Sequence, residues 1–174
     1  MPGQLDSLAN ILENFSKPTP YFFILVFLFL VIFIYGLKTG RGRMILNLLS
    51  LYTAIVLTGL FPFREYLFKK IQIKEPYFIE LGLFTAIFLM ILFLFANSPL
   101  RSLATKSRGH TFQVLFLSIL ILGLFVSHIT VLLPAEILAK LDNPIFTYFK
   151  TETAQFWWAL AGVAGLAVLR RRGE

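Results

Sequence analysis

The sequence predicts an all-α, polytopic transmembrane bundle of four to five spanning helices, with short interfacial amphipathic helices between them. Three observations predict it. Of 174 residues, 57% are hydrophobic and only 14% are charged, with a mean hydropathy of +0.79. A soluble domain carries about 25% charged residues, so too little charge is present to coat a globule. The apolar residues gather into runs close to the roughly 20 residues that a bilayer crossing needs. The basic residues fall in short clusters between those runs, where the positive-inside rule expects them.

The same observations exclude several classes. The balance of 16 Lys and Arg against 9 Asp and Glu gives a net charge of +7, which invites a nucleic-acid reading. Nucleic-acid binders line their basic residues along one face or stripe, and this chain does not. There is no cysteine, hence no disulfide framework, thiolate metal site or thiol nucleophile.

Taken in order, Leu5, Leu8, Ile11, Leu12 and Phe15 recur at helical spacing, predicting an amphipathic segment over 5–15. Like the two amphipathic stretches below, it either lies as a helix in the headgroup region or forms an ordered connection capping the bundle. Span one covers 21–37, an unbroken apolar run without charge. It exceeds the 7–15-residue core of a secretory signal and lacks a cleavage site, so it reads as a permanent span. Residues 38–43 (KTGRGR) read as a tight basic turn. Span two covers 44–61 and stops at Pro62. A second amphipathic stretch over 64–74 interleaves Leu67, Phe68, Ile71 and Ile73 with three lysines.

Span three covers 77–96, opening just after Pro76, a favourable first-turn residue. Span four covers 111–133 and ends at Pro134. A third amphipathic stretch, 135–141, follows it. Span five covers 153–169, with Trp157 and Trp158 suited to one interface and Arg170, Arg171 and Arg172 to the other. Residues 1–174 together read as a single membrane domain.

Loop charge sets the expected orientation. With five spans, the 38–43 turn, the 97–110 connection and the C-terminus share one side and carry nine basic residues against seven opposite. That side is expected to be cytoplasmic and the N-terminus outside.

Polar residues within spans are the candidate sites, because such groups are costly in hydrocarbon and need partners. Asn47 opens a stripe in span two that continues through Ser50, Ala54 and Thr58. Small and hydroxylated residues on one face suit close helix packing with interhelical hydrogen bonds. A polar lining for a water path would need matching faces on spans one and three, which show none. Glu80, about one turn into span three, could bind a cation or relay protons. The plainer expectation is a carboxylate solvated at headgroup level near Lys74. His128, between Ser127 and Thr130, could switch or relay a proton near neutral pH. More commonly one such histidine hydrogen-bonds a neighbouring helix. In span five, Ala161 and Gly165 have the small-xxx-small spacing of a helix–helix contact, within the chain or between copies.

Signatures of catalysis are not legible. Gly40-Arg41-Gly42 is too short for a phosphate loop. His110 and His128 lack zinc-site spacing. No carboxylate pair approaches on one helical face. The chain is therefore read as non-enzymatic, with no catalytic residue, metal or cofactor.

The run Gly36-Leu37-Lys38-Thr39-Gly40-Arg41-Gly42-Arg43 leads from a long apolar helix into a second span opening on Leu46, Leu48-Leu49-Ser50-Leu51 and Tyr52. This resembles the opening of the colicin V production (CvpA) family of small bacterial inner-membrane proteins. The order of elements matches over roughly 20–150. Between spans three and four that family tends to carry an Asp-Arg pair; here Lys106-Ser107-Arg108-Gly109-His110 supplies the basic residues and a glycine without the aspartate. The resemblance implies a role in envelope maintenance and peptide-toxin production or secretion, with no catalytic residues to carry over.

The expected function is thus an envelope or export accessory working through helix packing. The alternatives are a small oligomeric channel or transporter, and a membrane-anchor subunit of a larger complex. The expected partners are the lipid bilayer and either further copies of the chain or other membrane proteins. No nucleic acid is expected.

Overall fold

The computed structural model describes residues 20–71, 75–99, 111–140, 149 and 151–171. Of these, 91% are helical and none forms a strand. The elements are α1 (Pro20–Thr39), α2 (Arg41–Gly59), α3 (Arg64–Ile71), α4 (Pro76–Ala96), α5 (Thr111–Leu132), α6 (Ala135–Lys140) and α7 (Glu152–Arg171). The expected amphipathic helix over 5–15 lies outside the described residues.

Four stretches are long and apolar enough to cross a membrane: Phe22–Thr39, Arg41–Gly59, Pro76–Asn97 and Thr111–Leu132. This is a membrane protein by length and composition. At about 1.5 Å per residue, the 20 residues of α1 reach about 30 Å, the thickness of a hydrocarbon core. A helix satisfies its own backbone, which is why unbroken apolar runs become helices in lipid. The fifth expected span also forms a helix of 20 residues. Gln155, two tryptophans and the terminal arginines dilute its apolar content, so it stands outside the four.

The predicted turn at 38–43 is corrected. Helix α1 continues to Thr39 and α2 begins at Arg41, leaving Gly40 as the whole connection. Its φ of 86° lies in the left-handed region that glycine reaches without a side-chain clash. The Gly40 N–H donates to Gly36 O at 2.8 Å, closing the end of α1. The reversal therefore takes one residue, and Lys38, Arg41 and Arg43 are held on helix ends.

Helix α5 is the centre of the bundle. It packs against α1, α2, α4 and α7, while α2 packs against α1, α4, α5 and α7. Of the spanning windows, 61% of α5 and 39% of α2 are buried, against 6% of α1 and 11% of α4. The core joins Met44, Leu48, Leu51 and Ala54 of α2 to Phe84 of α4 and to Leu117, Ile121 and Leu124 of α5. Phe23 and Phe27 of α1 and Phe93 of α4 point outward, as lipid-facing residues do.

Lipid tails are as apolar as leucine, so close packing rather than water exclusion must hold such helices together. Glycines supply the close approaches. A Cβ at Gly36 would sit 2.7 Å from Val114 Cγ1 and 2.9 Å from Met44 Sδ, so α1, α2 and α5 converge there. Gly123 of α5 receives the indole of Trp158, and Gly162 of α7 lies under the Tyr52 hydroxyl. That hydroxyl donates to Ala159 O, tying α2 to α7.

Candidate functional site

The chain alternates direction at each span, so the ends of α1, α4 and α7 meet the starts of α2 and α5. At this basic end lies a cavity of about 240 Å³ lined by Tyr35 of α1, by Arg43, Leu46, Asn47 and Ser50 of α2, and by residues 92 and 95–97 at the close of α4. Arg43 is the one charged residue in that lining. Its side chain is half-buried. Neither Arg43 nor Asn47 has a side-chain hydrogen bond or ion pair among the described residues. Two other lining groups are engaged locally: Ser50 Oγ donates to Leu46 O at 2.8 Å, and Asn97 Nδ2 to Phe93 O at 3.0 Å. The free donors of the cavity among the described residues are thus a guanidinium, a carboxamide and the Tyr35 hydroxyl, a set that suits an anion.

Neighbouring Arg41 does not join them. Its Nη1 donates to Gln113 Oε1 of α5 at 3.3 Å.

The opposite half holds a second polar cluster. His128 is buried, with its ring 4.6 Å from that of Phe84 between centroids. Gln155 Nε2 of α7 lies 3.0 Å from His128 Nδ1. With the carboxamide as donor, the ring proton resides on Nε2. Among the described residues, His128 Nε2 and Ser127 Oγ are buried without a hydrogen-bond partner. One turn on, the Thr130 hydroxyl lies 2.8 Å from Ser127 O and 2.7 Å from Phe149 O. Phe149 stacks on Trp158, with centroids 5.4 Å apart. The cluster therefore clamps the start of α7 to the end of α5.

Comparison with family models, curated proteins and solved structures gives no match.

The sequence-predicted residues separate accordingly. Asn47 lies in the basic-end cavity, His128 in the α5–α7 clamp, and Glu80 is half-buried near the start of α4. Among the described residues, no three His, Cys, Asp or Glu side chains come together as a metal site.

Ser50, Ala54 and Thr58 are buried as a packing stripe requires. Among the described residues, the interhelical hydrogen bonds expected of that stripe are not formed. Ser50 and Thr58 donate to Leu46 O and Ala54 O, four residues back in their own helix, a bond that short hydroxyl side chains reach readily.

In α7, Gly165 is buried against Phe116 and Leu120, whereas Ala161 is exposed. Within the chain the packed pair is Gly162 and Gly165, three residues apart. Residue 161 falls on the neighbouring, outward stripe. Gly165→Leu is therefore expected to loosen α7 from α5 inside one chain, exposing α7 to limited proteolysis in detergent. Ala161→Leu should leave the cleavage pattern unchanged.

Sequence reasoning treated Arg43 as loop charge and passed over Tyr35, Asn97 and Gln155. Helix phase carries part of the missing signal. Arg43, Asn47 and Ser50 lie at i, i+4 and i+7, a single face once α2 is known to begin at Arg41.

Proposed function

We propose that the chain is a non-enzymatic, multi-pass protein of a bacterial inner membrane, with its N-terminus outside, its C-terminus cytoplasmic and α7 as a fifth span. In this reading it is an envelope-maintenance or export accessory, as the likeness to CvpA proteins implies, and it acts through helix packing. The observation that carries the reading is the filled centre of the bundle. Met44, Leu48, Leu51, Phe84, Leu117 and Leu124 are each at most 1% exposed. A single chain so packed leaves its outer faces, not a central path, as the surfaces on which it works.

Two measurements test it. Protein reconstituted alone into liposomes is expected to pass neither ions nor small solutes. Extraction in mild detergent is expected to co-purify one defined membrane partner or further copies of the chain. Solute flux that falls on changing Glu80 to Gln would instead establish a transport role and end the accessory reading.

A further inference from the structure

We propose that the basic-end cavity between α1, α2 and α4 binds the phosphodiester headgroup of an anionic phospholipid. The inference rests on the chain lying in a bilayer and is independent of any role in export.

The lining argues for an anion. Arg43 brings a positive charge, and no carboxylate shares the cavity with it. Guanidinium groups match phosphate oxygens with paired donors. Asn47, one turn along the same helix face, offers two more N–H donors. Both side chains lack a partner among the described residues, so an incoming phosphate displaces no existing bond of theirs.

The position argues for a lipid over a soluble anion. The cavity opens where α1 and α4 end and α2 begins, at the depth where headgroups meet acyl chains. Leu46, Leu92, Phe95 and Ala96 form its apolar wall, with Tyr35 and Asn97 completing the lining. Directly beside them, Phe93 and Leu94 are exposed on the outer face of α4, a surface along which acyl chains can lie. The volume of about 240 Å³ is below the roughly 300–1,000 Å³ of sites that enclose a drug-sized ligand. It accommodates a headgroup while the tails stay in the bilayer. Basic pockets between spans on the cytoplasmic side are a recurrent form of anionic-lipid recognition.

The test uses the full chain, delipidated in neutral detergent, with bound lipid counted by native mass spectrometry. Both lipids carry the phosphodiester, but the choline ammonium sets a like charge beside Arg43 and cancels the net charge of the headgroup. Phosphatidylglycerol is therefore expected to be retained about tenfold more strongly than phosphatidylcholine of the same chains. Arg43→Gln should abolish that preference. Lys38→Gln removes the same charge from the same end but outside the lining, and should preserve it. Leu92→Trp, which fills the cavity and leaves every charge in place, should lower retention as Arg43→Gln does. It carries the test if Arg43→Gln does not fold. Equal retention of the two lipids, or equal loss in Lys38→Gln and Arg43→Gln, overturns the proposal. So does displacement of phosphatidylglycerol by millimolar inorganic phosphate, which would make the occupant a soluble anion. None of these results bears on flux or partner capture, so this inference and the accessory reading can fail separately.

Discussion

Replacing Gly123 by Ala is expected to lower the Tm of the detergent-solubilised protein by about 2–12 °C. This follows from an overpacking cost of about 1–3 kcal/mol and a shift of about 2–4 °C per kcal/mol for a chain of this length. The reason is local. A Cβ at Gly123 falls inside the indole of Trp158, which cannot fold away as the end of an aliphatic chain can. Trp158 is also held from its other side by the stacked ring of Phe149. Either the indole leaves its seat or α7 moves off α5. Gly82 of α4 supplies the contrast, because a Cβ there meets nothing within 4 Å. Gly82→Ala should therefore match or exceed the wild-type Tm. Adding Trp158→Leu to Gly123→Ala should return part of the lost stability, since the two positions are in contact and their effects will not add. A Gly123→Ala protein that melts with the wild type would mean that α7 does not seat on α5 as described.

The spans were legible in the sequence because an unbroken apolar run has one stable form in lipid. Their ranking from centre to edge was harder to read. Helices α1, α4 and α5 have the same mean hydropathy over their spans, yet 6%, 11% and 61% of those windows are buried. Lipid and protein interior are equally apolar, so hydropathy cannot separate a core helix from a lipid-facing one. Small and polar residues can. Helix α5 carries Gln113, Ser118, Gly123, Ser127, His128 and Thr130, all buried, whereas α1 buries Gly36 alone among its described side-chain positions. Of the pair Ala161 and Gly165, Gly165 packs against α5 within the chain while Ala161 faces outward, a division the spacing alone could not give because nothing in α7 itself fixes how it is rotated against α5. The cavity was illegible for a related reason. Its lining joins the consecutive helices α1 and α2 to the end of α4, far along the sequence, and Arg43 acquires a helix face only when the turn at 38–43 contracts to Gly40.

The pair His128 and Gln155 makes the second large prediction, one of rank order rather than size alone. Gln155→Leu leaves both ring nitrogens of a buried histidine without a partner among the described residues, a cost of about 1–3 kcal/mol for an unmet buried polar group. His128→Leu removes the same hydrogen bond and also removes the orphaned Nε2. Leucine keeps an apolar surface against Phe84. What remains unmet is the carboxamide of Gln155, half-buried in the first turn of α7 and close enough to the helix end to reach headgroups or water. Gln155→Leu should therefore destabilise more than His128→Leu, and the double variant should lie closer to the wild type than Gln155→Leu does. Interhelical hydrogen bonds in membranes couple by about 0.6 kcal/mol on average and by up to about 1.7. Denaturation of the four proteins in mixed detergent, run as a double-mutant cycle, reads both the order and the coupling. A silent Gln155→Leu, or additive effects of the two substitutions, would place the histidine's partner elsewhere and leave the last helix held by Trp158 in the Gly123 notch, by the Tyr52–Ala159 bond and by Gly165 against Phe116 and Leu120.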